Sequence, residues 1–337
     1  MKSGKIALVF YIFFLLLTIA LMLISFPVGL YTVFFTHLSN TSLAYSSPVS
    51  NIVFFVGLFE FFVPVATSLG AVFAISTAIY FGLFAYAAFQ SRNTFSAIRS
   101  ALANGTSDLF SNPLLAMLIA LGATTLAIGI LDRIQTGSGI PTGALTGDPL
   151  VLFVSVTFAP LREEFGFRVA LIGFAALLLG LRSSVKTALR ALWRPSAILA
   201  GRPTDLIDKV GLTLMLVLSS AFFGLAHYIS GGGWEIGKVS EAAFAVMVLG
   251  YLYIKYGIHT AVLLHWGVNY FGTVYAFFGQ GVWGIPWTSD IGNPLDVLVV
   301  LDLFFFIGAT SLFLVGYKIL KRVIKIQTRP ENAPILA

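Results

Sequence analysis

The chain contains no cysteine, and only 10% of its 337 residues are charged. The first absence excludes disulfides, thiolate metal sites and a cysteine nucleophile. The second excludes an ordinary water-soluble globule, whose surface needs roughly a quarter of charged residues. No GxSxG elbow occurs, so nothing marks a serine nucleophile of that kind. Internal repeats, heptads and low-complexity tracts are also missing. What is present is apolar: 58% of the residues are hydrophobic, 32 of them Phe, and the mean hydropathy is +0.94. Apolar runs longer than about 18 residues recur along the whole sequence, and their solvent is lipid. The net charge of +6 does not point to nucleic acid, because the basic residues fall in connecting segments, where they set topology and meet anionic lipid head groups.

The expected fold is an all-α, polytopic membrane bundle of about eight spans. Lys2 and Lys5 precede a retained first span, Ile6 to Leu30. An apolar region from Ile52 to Phe89, interrupted by Glu60 and Pro64, follows. Further spans run from Leu114 to Leu131, Leu150 to Leu181 with a kink or break at Pro160, Val210 to Ile229, Ala242 to Lys255, Ile258 to Phe278, and Leu295 to Tyr317. Three parts are expected: N-terminal membrane helices over 1–148, a catalytic membrane core over 149–320, and a basic tail over 321–337. The N-terminal lysines, the basic stretch Arg182 to Lys209 and the tail all fall on one side, which the excess of Lys and Arg marks as cytoplasmic for both termini.

An ionisable side chain within a span costs several kcal/mol by most estimates and needs a partner, a wet cavity or a function. Three helices carry such groups: Arg162, Glu163, Glu164 and Arg168 on the fourth span, His227 on the fifth, His265 with Asn269 on the seventh. Glu164 and Arg168 stand at i and i+4 with the acid first, the favourable order for a helical ion pair. Glu163 points about 100° away from Glu164, free to act while that pair supports it. Phe223 and His227 share the i, i+4 spacing, as do His265 and Asn269. A carboxylate in a partly dry site beside an imidazole is the equipment of a hydrolase. Glu163 is expected to act as general base on a water, His227 to hold that water or shuttle a proton, and His265 with Asn269 to stabilise an oxyanion.

Glu163-Glu164-Phe165-Gly166-Phe167-Arg168 fits EExxxR, Phe223 to His227 fits FxxxH, and His265 to Asn269 fits HxxxN. In this order, on three hydrophobic helices, they resemble the CPBP family, which includes the type II CAAX prenyl endopeptidases, over Pro160 to about Phe271. The resemblance implies an intramembrane protease in which Glu163 and His227 activate water, His265 and Asn269 form the oxyanion site, and Glu164 and Arg168 support Glu163. It also implies a membrane-associated, in some members prenylated, substrate and a metal-free mechanism. No cofactor is therefore favoured, although Glu163, His227 and His265 would also suit a two-His, one-carboxylate zinc site. Other members of the family are tied to bacteriocin immunity, so a non-catalytic scaffold of the same fold is a rival reading. A proton-coupled transporter is the other.

Three expectations concern placement. At about 1.5 Å per residue, Glu163 and His227 lie about 26 Å from the basic loop but His265 only about 10 Å from the turn before it, so a common site requires a short or tilted sixth span or an intramembrane turn at Gly257. The same count puts Glu163 nearer the outer face. His259, Glu60 and Asp302 are expected at interfaces or between helices rather than in the site.

Overall fold

A computed structural model describes residues 2–38, 47–90, 92–199, 206–230, 232–289 and 304–327. The helices are α1 (Lys2–Phe35), α2 (Leu69–Phe89), α3 (Thr94–Asn104), α4 (Pro113–Gly137), α5 (Pro149–Glu164), α6 (Phe174–Leu181), α7 (Val185–Trp193), α8 (Leu206–Ile229), α9 (Ile236–Tyr256), α10 (Ile258–Trp266), α11 (Val274–Trp283) and α12 (Phe304–Gln327). Two π-helical segments, Phe165–Gly173 and Gly267–Phe271, continue α5 into α6 and prolong α10. The protein is an integral membrane bundle, and six of its described helical stretches are long and apolar enough to span: Lys5–Phe35, Leu69–Phe89, Pro113–Gly137, Pro149–Leu181, Leu206–Ile229 and Ile236–Tyr256.

The other two expected spans take a different form. Ile258 to Phe278 is divided into α10, the π segment and α11. Of Leu295 to Tyr317, the part from 304 onward lies in α12, while 295–303, with Asp302, falls outside the described residues. Pro160 does not break its helix, because α5 carries on through Glu164.

The expected second span needs correction at its start. Residues 52–68 are not helical: β1 (Pro48–Val56) and β2 (Phe59–Ser68) form an antiparallel hairpin. Val, Ile, Phe and Thr dominate both strands, which suits extended backbone, and Gly57 turns between them with φ 59°. Phe55 is paired with Glu60 and Val53 with Phe62, so these four side chains share one face of the hairpin.

Helix starts follow local chemistry. The Asp148 side chain accepts from the Leu150 and Val151 amides, with Pro149 in the first turn of α5; Asn112 and Pro113 do the same for α4. Close approaches rely on small residues: a Cβ on Gly224 would overlap the Val239 carbonyl of α9, and one on Gly122 would meet Ile307 of α12. The centre is aromatic. Trp266 is fully buried and stacks on Phe26 and Tyr270, with ring centroids 5.2 and 5.1 Å apart, and the Tyr80 hydroxyl donates to the Thr157 carbonyl across α2 and α5.

The hairpin leans on the π segment after Glu164, where a Cβ on Gly166 would overlap the Phe55 backbone carbonyl. Gly166→Ala should therefore push the hairpin away and destabilise the solubilised protein by about 1–3 kcal/mol. Gly82→Ala, in open space on α2, should be neutral or slightly stabilising. Unfolding curves of the two variants beside the parent check the contrast.

Candidate active site

Glu164 ends α5 and Arg168 lies one turn on, both fully buried. The Arg168 Nε is 2.9 Å from Glu164 Oε2. Glu164 Oε1 is 2.8 Å from His265 Nδ1, so one carboxylate joins α5 to α10. An ionised carboxylate only accepts, which puts the proton of the neutral imidazole on Nδ1. His265 Nε2 then carries the lone pair and accepts from Asn269 Nδ2 at 3.2 Å. Glu163 Oε2 lies 3.8 Å from that same Nε2, and its other oxygen lies 3.5 Å from Arg162 Nη2.

On α8, His227 Nδ1 is 3.0 Å from the Phe223 carbonyl. A carbonyl cannot donate, so Nδ1 holds the hydrogen and Nε2 keeps a lone pair. Phe223 is the common packing surface. Its ring lies 4.8 Å from the Arg168 guanidinium, 4.6 Å from the His227 ring and 6.0 Å from the His265 ring. Cation–π attraction matters more here than on a surface because the arginine is desolvated. Its Nη1 and Nη2 have no hydrogen-bond partner among the described residues.

A cavity of about 340 Å³ opens beside these groups, lined among others by Glu163, His227, Phe223, Arg162, Phe55, Glu60 and Trp234. Glu163 and His227 thus face one space. His265 and Asn269 do not line it, and connect with it through Glu163. The level difference counted along the chain does not keep His265 from the site: its Nδ1 reaches Glu164 at 2.8 Å, and every residue of α10 is buried in the bundle. His259 is not interfacial: it is fully buried, stacked on Trp193 at 5.6 Å and edge-on to Tyr86 at 4.9 Å.

Sequence reasoning missed the wall of the cavity. Glu60 and Phe55 arrive on the hairpin, whose signal was the run of β-branched and aromatic residues either side of Gly57. Arg162 lies over the Phe55 ring at 5.3 Å. Trp234 comes from the loop before α9, which the segment after α4 holds by a bridge from Gly143 and by Ala144 donating to the Gly233 carbonyl at 3.0 Å. Behind it, Gln135 Nε2 donates to Glu241 at 3.1 Å and Lys238 pairs with the same carboxylate at 3.3 Å, which fixes α4 to α9.

Among the described residues, no group of three or more His, Asp or Glu is arranged to hold a metal ion. His265 is held at Nδ1 by Glu164, and its Nε2 lies 3.2 Å from Asn269 Nδ2 and 3.8 Å from Glu163 Oε2.

Glu163 of α5 and His227 of α8 thus line one cavity, and the imidazole and amide that follow on α10 and its π extension join it through Glu163. Residues 146–271 match the family model described as Type II CAAX prenyl endopeptidase Rce1-like, and over that segment, which holds all the residues above from Glu163 to Asn269, the chain is similar to a protease family. No curated protein and no solved structure matches the chain.

Removing Glu164 while Arg168 remains leaves a buried, uncompensated cation. Glu164→Gln should cost about 3–5 kcal/mol, and Glu164→Gln combined with Arg168→Met should recover much of it. Chemical unfolding of the single and double variants measures the difference.

Proposed function

We propose that the protein is an intramembrane endopeptidase that hydrolyses a peptide bond of a membrane-associated protein or peptide with a water activated by Glu163 and His227. The observation that carries this reading is the shared cavity, which Glu163 and His227 both line. In the proposed reaction that water loses a proton to Glu163 as its oxygen attacks the carbonyl carbon, and His227 orients it. The proton passes to the leaving nitrogen as the tetrahedral intermediate collapses. Asn269 keeps a second Nδ2 hydrogen beyond its bond to His265 and donates it to the oxyanion once the carbonyl lies beside Glu163, while His265 holds that amide in place. Glu164, itself paired with Arg168, keeps His265 in the tautomer whose Nε2 accepts from Asn269.

The reading extends to layout. Residues 149–320 act as the catalytic core, 1–148 as its membrane support, and 321–337 as a cytoplasmic tail, with the N-terminus and the basic segment after α6 on the same side. His227 lies towards the far end of α8 from that segment, so the cavity receives its substrate from the other half of the bilayer. Against a transport path stands the clustering of the titratable groups: they meet at one level instead of stringing out across the bundle.

The purified protein in lipid should cleave members of a panel of prenylated and unprenylated peptides. Glu163→Gln and His227→Ala should each lower the rate by roughly 10²- to 10⁴-fold without changing the unfolding curve. Cleavage of no peptide, or equal cleavage by the variants, would remove the peptidase reading. Separately, activity should survive a metal chelator; a loss restored by added zinc would overturn the metal-free mechanism.

A further inference from the structure

The short helix α7 has three sectors that its connecting role does not require. Ala188 and Ala191 are buried against the bundle. Val185, Leu189 and Trp193, at i, i+4 and i+8, are exposed, at 65%, 59% and 41%. Lys186 and Arg190 repeat the same spacing one residue later and occupy the next sector round the helix, and Arg194 follows at its end in extended backbone. None of the three cations has a carboxylate partner among the described residues; the nearby Asp208 is paired with Arg182 at 3.4 Å. Beside them lies a cavity of about 850 Å³, lined by all three cations, by Leu189 and Trp193, and by Gln90 at the end of α2. Among the described residues, no acidic side chain lines it. Gln90 Oε1 is buried and has no hydrogen-bond partner among the described residues.

We propose that this cavity is a binding site for the phosphodiester headgroup of an anionic phospholipid, taken from the membrane and not from solution. Three unpaired cations supply the complement to a phosphate. Gln90 Oε1 accepts from a headgroup hydroxyl. The exposed Val185, Leu189 and Trp193 stripe gives the acyl chains an apolar flank, with tryptophan at the level where an amphipathic ring rests between hydrocarbon and water. That flank is what favours a lipid over a free phosphate. The site is also connected to the bundle interior, because Trp193 stacks on the buried His259 at the start of α10, the helix that carries His265.

The test is lipid retention by the detergent-solubilised full chain, read by native mass spectrometry during titration with phosphatidylglycerol or with phosphatidylcholine of the same acyl chains. The parent should retain phosphatidylglycerol at least tenfold more tightly than phosphatidylcholine. Lys186→Gln, Arg190→Gln and Arg194→Gln combined should weaken phosphatidylglycerol by roughly a hundredfold and leave phosphatidylcholine unchanged. Leu189→Gln should weaken both lipids, and Arg99→Gln, an exposed cation on α3, neither. Equal retention of phosphatidylglycerol by the triple variant and the parent overturns the site. Full displacement by glycerol phosphate at millimolar concentration overturns the lipid assignment in favour of a soluble anion. Because every substituted side chain is exposed, an unchanged unfolding curve separates lost binding from lost folding.

Discussion

The carboxylate of Glu164 is the constraint on which the rest of the site depends. It is fully enclosed, and it satisfies a cation on its own helix and an imidazole on another. Burying a charge is tolerable only with such company, so the three groups must be brought together before the bundle can close. Once they are, the remaining freedom is small. His265 is held in one tautomer, Asn269 follows, and Glu163, the neighbour in sequence, is turned towards open space by the geometry of the helix itself. The proposed base and the structural carboxylate are adjacent in the chain, which on a helix separates their directions by about 100° at nearly the same depth.

Around that core the aromatic residues do unequal work. Most pack, as Trp266 does among Phe26, Tyr80 and Tyr270. Phe223 has a different part, since a single ring faces the arginine and both histidines. It covers a face of the buried Arg168 guanidinium, whose Nη1 and Nη2 lack hydrogen-bond partners among the described residues, and it packs against both imidazoles. An aliphatic side chain of similar bulk would fill the space but would offer the guanidinium no negative face.

Much of this was legible in the sequence, for a physical reason. Charged groups are so costly in hydrocarbon that the few inside the spans mark themselves, and the i, i+4 spacing of Glu164 with Arg168, of Phe223 with His227 and of His265 with Asn269 carries the local geometry. The apolar runs likewise give the helices of the bundle. Two things were hidden. Hydropathy cannot tell an apolar strand from an apolar helix, so β1 and β2 were absorbed into a span and Glu60 lost its place on the cavity wall. Helix counting assumes that every apolar segment starts at the edge of the bundle, whereas α10 is buried from its first residue, and that assumption put His259 at an interface and His265 away from Glu163.

The two π-helical segments carry a consequence for how such a chain can change. A π turn holds one residue more than an α turn and turns less at each, so the extra residue is taken up locally and the helix beyond keeps nearly the facing it would have without it. Deleting one residue there would restore regular winding with the later faces nearly in place. The loss would fall on the turn itself, which carries Arg168 in the first stretch and Asn269 in the second.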